Sequence, residues 1–139
     1  MRETGFLVAK LEEIWQKYFF ECERPNRIVI QFGKVAKKRL GSIRRTNVTR
    51  NSFDTLILIN GHFKNKAIPE FVIDATIAHE LVHYIHGFSS PLPQLSRFPH
   101  RGGKIEKEME RRDLGELLQL ETDWLGSNWL NYIKALKNN

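Results

Sequence analysis

The chain has 139 residues, of which 41% are hydrophobic and 27% charged, and its formal net charge is +6. A chain of this length fits one domain and can bury a core without disulfides or metals. No run approaches the roughly eighteen apolar residues of a membrane span, and the single cysteine, Cys22, argues against a disulfide framework. Composition therefore predicts a single domain over residues 1–139, located in the cytoplasm.

The first predicted element is an amphipathic helix within the first twenty residues. Its apolar positions recur at helical spacing, and they are Leu7, Leu11, Ile14, Tyr18 and Phe19. Glu3, Glu12 and Glu13 interrupt them, so the segment lacks the continuous apolar run of a signal peptide. We expect this helix to pack against the core.

Three short strands are predicted between this helix and residue 60. Ile28–Ile30 with Phe32 form the first, Leu40–Ile43 form a middle strand or its turn, and Thr55–Ile59 form the last. Three short strands with flanking helices give an α+β domain.

Basic residues are concentrated around the middle strand. The segment 24–53 contains no acid and nine Lys or Arg residues: Arg24, Arg27, Lys34, Lys37, Lys38, Arg39, Arg44, Arg45 and Arg50. The rest of the chain has thirteen basic and sixteen acidic residues, so its net charge is −3. This face is either a solvated surface or one that contacts a phosphate backbone. The candidates for DNA contact are Lys37, Lys38, Arg39, Arg44 and Arg45.

The most specific motif is the H-E-x-x-H pattern at residues 79–83. Positions four apart lie on one face of a helix, so the ring nitrogens of His79 and His83 can reach one zinc ion. Glu80 points about a quarter-turn away and can act as general base toward a zinc-activated water without being a ligand.

The surroundings of the motif indicate a buried central helix. Pro69 suits its first turn, no breaker occurs over residues 70–86, and Gly87 is placed as its stop. Apolar residues cover nearly all of its sides, including Ile73, Ile77, Leu81 and Ile85. Two histidines and a glutamate buried there need a partner, so we predict one zinc ion per chain.

A catalytic zinc normally has three protein ligands, so a third must come from downstream. The long metzincin pattern is excluded because residues 86 and 89 are His86 and Ser89 instead of Gly and His. One solution is a glutamate on the following helix, with the candidates Glu106, Glu108 and Glu110. The other is His100, at the end of a loop stiffened by prolines.

The order of four segments adds a further indication. The segments are Arg39–Arg44 with its Leu-Gly-Ser turn, Leu56–Asn60, His79–Tyr84, and Pro99–Ile105. Over about residues 5–112 the chain resembles the SprT-like (Spartan-type) zinc metalloprotease domain, a zincin. In that family a leading helix, a small sheet, the zinc helix and a His-bearing segment follow one another.

The resemblance implies that His79, His83 and His100 bind zinc and that Glu80 is the catalytic base. It favours Leu56–Asn60 as the exposed sheet edge that holds an extended peptide substrate, and it raises the expectation of proteolysis near DNA. The segment after His100 is one residue longer than the usual spacing. The four-cysteine ribbon that many such proteins append is absent from this sequence.

Several other residues have two interpretations each. Tyr84 either stabilises an oxyanion or packs in the core. Arg101 either hydrogen-bonds developing negative charge or is solvated, and His86 is either a surface group or a group that supports the site. A C-terminal helix over about 117–137 packs across the domain, covers the cleft or forms a dimer contact.

The sequence thus predicts a zincin-like α+β fold with an N-terminal helix, a three-stranded sheet, a central HExxH helix and C-terminal helices. The predicted function is zinc-dependent hydrolysis of peptide bonds. The alternatives are a DNA-binding or scaffold protein with a structural zinc, and a latent minimal gluzincin-type peptidase with a glutamate as third ligand. The intact Glu80 favours an enzyme, because holding a metal alone would not require that carboxylate.

Overall fold

The computed structural model describes residues 1–137. Helix α1 (Thr4–Tyr18) precedes strands β1 (Ile28–Phe32), β2 (Gly41–Thr46) and β3 (Asp54–Ile59). The helices α2 (Glu70–Ile85), α3 (Lys104–Arg111), α4 (Gly115–Trp124) and α5 (Leu130–Lys137) follow, and a π-helical turn, Leu125–Trp129, joins α4 to α5. The predicted α+β fold with a small three-stranded sheet is confirmed.

The strand order corrects the expected sheet edge. The sheet is mixed, with the order β1-β3-β2, in which β3 pairs in parallel with β1 and antiparallel with β2. Leu56–Asn60 therefore does not form the exposed edge, and the segment predicted as a middle strand or turn forms the edge strand β2. The reason is burial: Leu56, Ile57 and Ile59 are buried on alternating faces of β3, and a strand that is apolar on both faces belongs in the centre.

Helix α2 is the central helix of the core. It packs against β2, β3, α1, α3 and α4, which explains why apolar residues surround it almost completely. It begins directly after Pro69, and Gly87 follows its end with a φ of 86°. A Cβ at Gly87 would lie 2.3 Å from the carbonyl oxygen of Pro93, so a glycine also allows the following loop to pass close by.

The C-terminal helices cover α2 and the loop before β2. Helix α4 packs on α2, while the indole of Trp129 donates a hydrogen bond of 2.6 Å to the carbonyl oxygen of Lys37. Trp129 also contacts the rings of His62, Phe63 and Tyr132. Of the expected roles for this segment, the structure shows packing across the domain. None of the helices in residues 1–137 has the length and apolar character needed to cross a bilayer.

Candidate metal centre

Three histidines from two parts of the chain converge at one point. His79 and His83 project from α2, and His100 comes from the loop that leads to α3. One ring nitrogen of each lies within 4.8 Å of the others, and the two Nε2 atoms of His79 and His83 are 3.2 Å apart. Two ligands about 2.05 Å from a tetrahedral zinc are about 3.3 Å apart. The nitrogens of His79 and His83 thus already have the spacing of two ligands, and a nitrogen of His100 lies within 4.8 Å of both.

Two of these imidazoles, those of His79 and His83, are kept neutral by their surroundings. Burial, with the nearby His100, lowers the pKa of His79 to about 4. Burial and the neighbouring histidines lower the pKa of His83 to about 3. A neutral imidazole has a free lone pair, which is the form that binds a metal.

Several hydrogen bonds fix the loop that presents His100. The Ser90 hydroxyl donates a hydrogen bond to the carbonyl oxygen of Tyr84 at 2.7 Å. The amide N–H of Leu95 donates one to the carbonyl oxygen of His86 at 3.0 Å. The Thr55 hydroxyl on β3 donates to the carbonyl oxygen of Ser89 at 2.7 Å. The loop therefore returns to α2 because both the sheet and the helix end bind its backbone.

Glu80 lies beside the histidines with an unsatisfied carboxylate oxygen. Glu80 is only 4% exposed, and its Oε2 has no hydrogen-bond partner within the described residues 1–137. Burial raises the pKa of Glu80 to about 7, although the positive charge of Arg39 opposes this shift. A carboxylate with such a pKa accepts and releases protons near neutral pH.

Glu80 and His79 line a cavity of about 170 Å³. The rest of its lining comes from the start of β2 and from α2 and α4: Arg39, Leu40, Gly41, Thr76 and Glu121. A Cβ at Gly41 would lie 2.9 Å from Cγ2 of Thr76, so this glycine allows β2 to approach α2 beside Glu80.

Glu121 is the residue of this cavity that sequence reasoning missed. It is 7% exposed, and the hydroxyl of Thr76 lies 2.9 Å from its Oε2. Burial raises the pKa of Glu121 to about 7. A signal existed in the sequence, because Glu121 lies four residues from both Leu117 and Leu125 and thus interrupts the apolar stripe of a helix.

None of the alternative glutamate ligands belongs to the histidine cluster. Glu106 and Glu110 are exposed, and Glu108 is buried in a separate cluster. Burial alone would raise the pKa of Glu108, but hydrogen bonds from Arg111 and His86 and the charge of Arg112 lower it to about 2. Its carboxylate is therefore ionised and already paired.

Of the two interpretations of His86, the structure favours the supporting one over the surface one. His86 is 7% exposed, and its Nε2 lies 2.9 Å from Oε1 of Glu108. This pair links the end of α2 to α3. Leaving a buried polar group without its hydrogen-bond partner costs about 1–3 kcal/mol, so we assign His86 and Glu108 to support of the fold around the site.

Tyr84 is placed away from a catalytic role. The Tyr84 side chain is fully buried, donates a 2.6 Å hydrogen bond to Oδ1 of Asn26 and packs edge-on against Trp15. This arrangement agrees with a role of Tyr84 in core packing and not with stabilisation of an oxyanion. Arg101 is exposed, and its guanidinium lies 5.5 Å from the centre of the Phe98 ring.

The basic segment is exposed and charged, but its cations do not share one surface, because Arg44 and Arg45 are successive residues of β2 and lie on opposite faces of the sheet. Arg24 is partly buried and pairs with Glu12 at 2.6 Å, whereas the other eight basic residues are exposed and form no ion pair within residues 1–137. Lys34, Arg39 and Arg44 line a groove of about 600 Å³ on the sheet face opposite the helices. The five predicted DNA-contact residues are all exposed.

Three comparisons with known proteins complete the description of the site. A scan against protein-family models, a search of curated proteins and a search of solved structures each gave no match. The functional assignment therefore depends on the residues of the site themselves.

Proposed function

We propose that this protein is a zinc metallopeptidase with a zincin-type, SprT-like site, acting on protein or peptide substrates. The observation that carries the proposal is the convergence of His79, His83 and His100 beside Glu80, a buried general base with an unsatisfied Oε2. Three imidazole ligands suit zinc, copper, iron and nickel. We choose zinc because three protein ligands with an open position are typical of catalytic zinc. We also propose a cytoplasmic location, where the free thiol of Cys22 stays reduced.

The chemistry follows from the roles of these residues. A zinc ion held by the three histidines would supply Lewis-acid activation of water and of a substrate carbonyl. Glu80 accepts the proton of the attacking water at its carboxylate and returns that proton to the leaving amine. Its pKa of about 7 suits both transfers. The alternative of a purely structural metal leaves the buried, unsatisfied carboxylate without a purpose.

The sheet provides a place for an extended substrate. β2 pairs with β3 on one side only, and its first residue, Gly41, lies against α2 beside Glu80. A peptide that adds to the other side of β2 as a further strand would pass the histidine cluster. We therefore assign to β2 the substrate-binding role that the sequence had given to Leu56–Asn60.

Metal analysis combined with a protease assay tests the proposal. We expect freshly purified, unchelated protein to contain one zinc per chain and to cleave casein. Chelation should stop cleavage, and added zinc should restore it. The variant His83→Ala should neither hold zinc nor cleave casein. Absence of a stoichiometric transition metal would contradict the proposal. Stoichiometric zinc with no hydrolysis, together with unfolding on chelation, would instead establish the structural-zinc alternative.

We further propose that the basic segment 24–53 contacts DNA, because eight of its nine cations are exposed and form no ion pair within residues 1–137. Phosphate binding releases counterions, so affinity should fall with salt at a log–log slope of about −0.7 per phosphate contacted on a single strand. Changing Lys37, Lys38, Arg44 and Arg45 together to Ser should weaken binding and make the slope shallower, without loss of zinc.

A matched variant controls this test for net charge. Lys17, Lys66, Lys107 and Lys134 are exposed and lie outside the basic segment. Changing these four to Ser removes the same charge and should leave most of the affinity in place. Equally poor binding by the wild type and both variants at about 0.15 M salt, near the physiological ionic strength, would show that the basic segment is only solvated.

A further inference from the structure

The cavity beside Glu80 has the size and position of a pocket for one substrate side chain. Its volume is about 170 Å³, and about 150 Å³ is enough for a benzene molecule. His79 and Glu80 line it together with Glu121 from α4, which lies next to Thr76. A side chain that enters this cavity therefore belongs to a residue next to the bond being cleaved.

The hydrogen bonds of Glu121 are incomplete. The Thr76 hydroxyl lies 2.9 Å from Oε2 of Glu121 and 2.8 Å from the carbonyl oxygen of Val72. One hydroxyl has one proton and can donate to only one of these acceptors. If Glu121 is ionised, the Thr76 hydroxyl donates either to its carboxylate or to the carbonyl oxygen of Val72, and the other acceptor goes without this hydrogen bond. Both contacts can be hydrogen bonds only if Glu121 itself carries a proton.

Within residues 1–137, no positive charge contributes to the pKa of Glu121. Arg39 lines the same cavity but its side chain is exposed, and its charge acts on Glu80. The pKa of Glu121 is raised by burial and lowered only by the hydrogen bond to Thr76, without a contribution from a nearby cation. A leucine would continue the apolar stripe at this position. Burying a carboxylate there costs free energy, and packing does not explain that cost.

We propose that this cavity receives a cationic side chain of the substrate, from Lys or Arg, and that Glu121 is the residue that selects it. The inference rests on the proposed peptidase function and adds a substrate class to it. The ammonium or guanidinium group supplies Glu121 with a charged hydrogen-bond donor, which none of the residues 1–137 provides. The aliphatic stem of the side chain passes Leu40 and Gly41, which form the apolar part of the lining.

The small cation n-butylammonium has the same structure as the side chain of lysine. Its binding tests the pocket without requiring that the protein hydrolyse a peptide bond. Glu121→Gln keeps the shape of the side chain and removes its charge, and Glu116→Gln removes an exposed charge from the same helix. A buried charged hydrogen bond contributes about 1.5–3 kcal/mol, or at least tenfold in affinity. We therefore expect Glu121→Gln to bind the probe at least tenfold more weakly and Glu116→Gln to bind it like the wild type. NMR titration measures both, and thermal unfolding checks that each variant is folded.

Mapping the cleavage sites in casein by mass spectrometry provides the second measurement. The wild type and Glu116→Gln should cleave next to Lys or Arg, and Glu121→Gln should lose this preference. Equal butylammonium affinity in the wild type and Glu121→Gln, or the same cleavage preference in both, would overturn the inference. Glu121-dependent butylammonium binding in a protein that holds zinc but hydrolyses nothing would leave the cation pocket standing and would instead refute the peptidase function.

Discussion

Replacing Glu80 with glutamine is expected to abolish measurable hydrolysis while the protein keeps its metal. Glutamine has nearly the same shape as glutamate but cannot accept the proton of water at neutral pH. General base catalysis typically contributes about 10²- to 10⁴-fold to a rate, so the turnover of Glu80→Gln should fall by at least the lower figure. The zinc content should not change, because the three histidines and not Glu80 form the ligand cluster.

The measurement compares zinc per chain and casein cleavage in the wild type, Glu80→Gln and Glu106→Gln. Glu106 is exposed and lies near the site without belonging to the cluster, so its glutamine variant controls for the loss of one negative charge. Full activity in Glu80→Gln would remove this carboxylate from the mechanism. Loss of zinc together with activity would assign Glu80 to metal binding.

Replacing His100 with alanine is expected to have the second large effect, a loss of zinc affinity by orders of magnitude. Substitution of groups that merely support a ligand already weakens metal binding by about 10- to 100-fold, and His100 is one of three ligands. The exposed loop position of His100 means that its removal leaves no large buried gap. The fold should therefore remain intact while the metal is lost.

Competition with a chromophoric chelator measures this affinity in His100→Ala, Glu106→Ala and Glu110→Ala. Both glutamate variants should bind zinc like the wild type. Glu108→Ala is a poor control, because it breaks the buried pairs with His86 and Arg112 and so lowers stability. Retention of zinc by His100→Ala with loss in Glu106→Ala or Glu110→Ala would convert the site to the gluzincin type.

The features that the sequence determined by itself depend on residues close together in the chain. The spacing of Leu7, Leu11 and Ile14 indicated the apolar face of α1. Pro69 and Gly87 marked the two ends of α2, and the four-residue interval between His79 and His83 placed both imidazoles on one side. Each of these follows from the period of a helix or from the backbone preference of one residue, so no knowledge of distant contacts was needed.

The tertiary structure alone decided which distant residues meet. It placed β3 between β1 and β2, so that β2 and not Leu56–Asn60 is an open edge. It joined His100, rather than a glutamate of α3, to the histidine pair, and it placed Glu121 of α4 against Thr76 beside Glu80. Such contacts depend on how whole faces of helices and strands bury their apolar surface together, and a local pattern of residues has no information on the partner that each face will find.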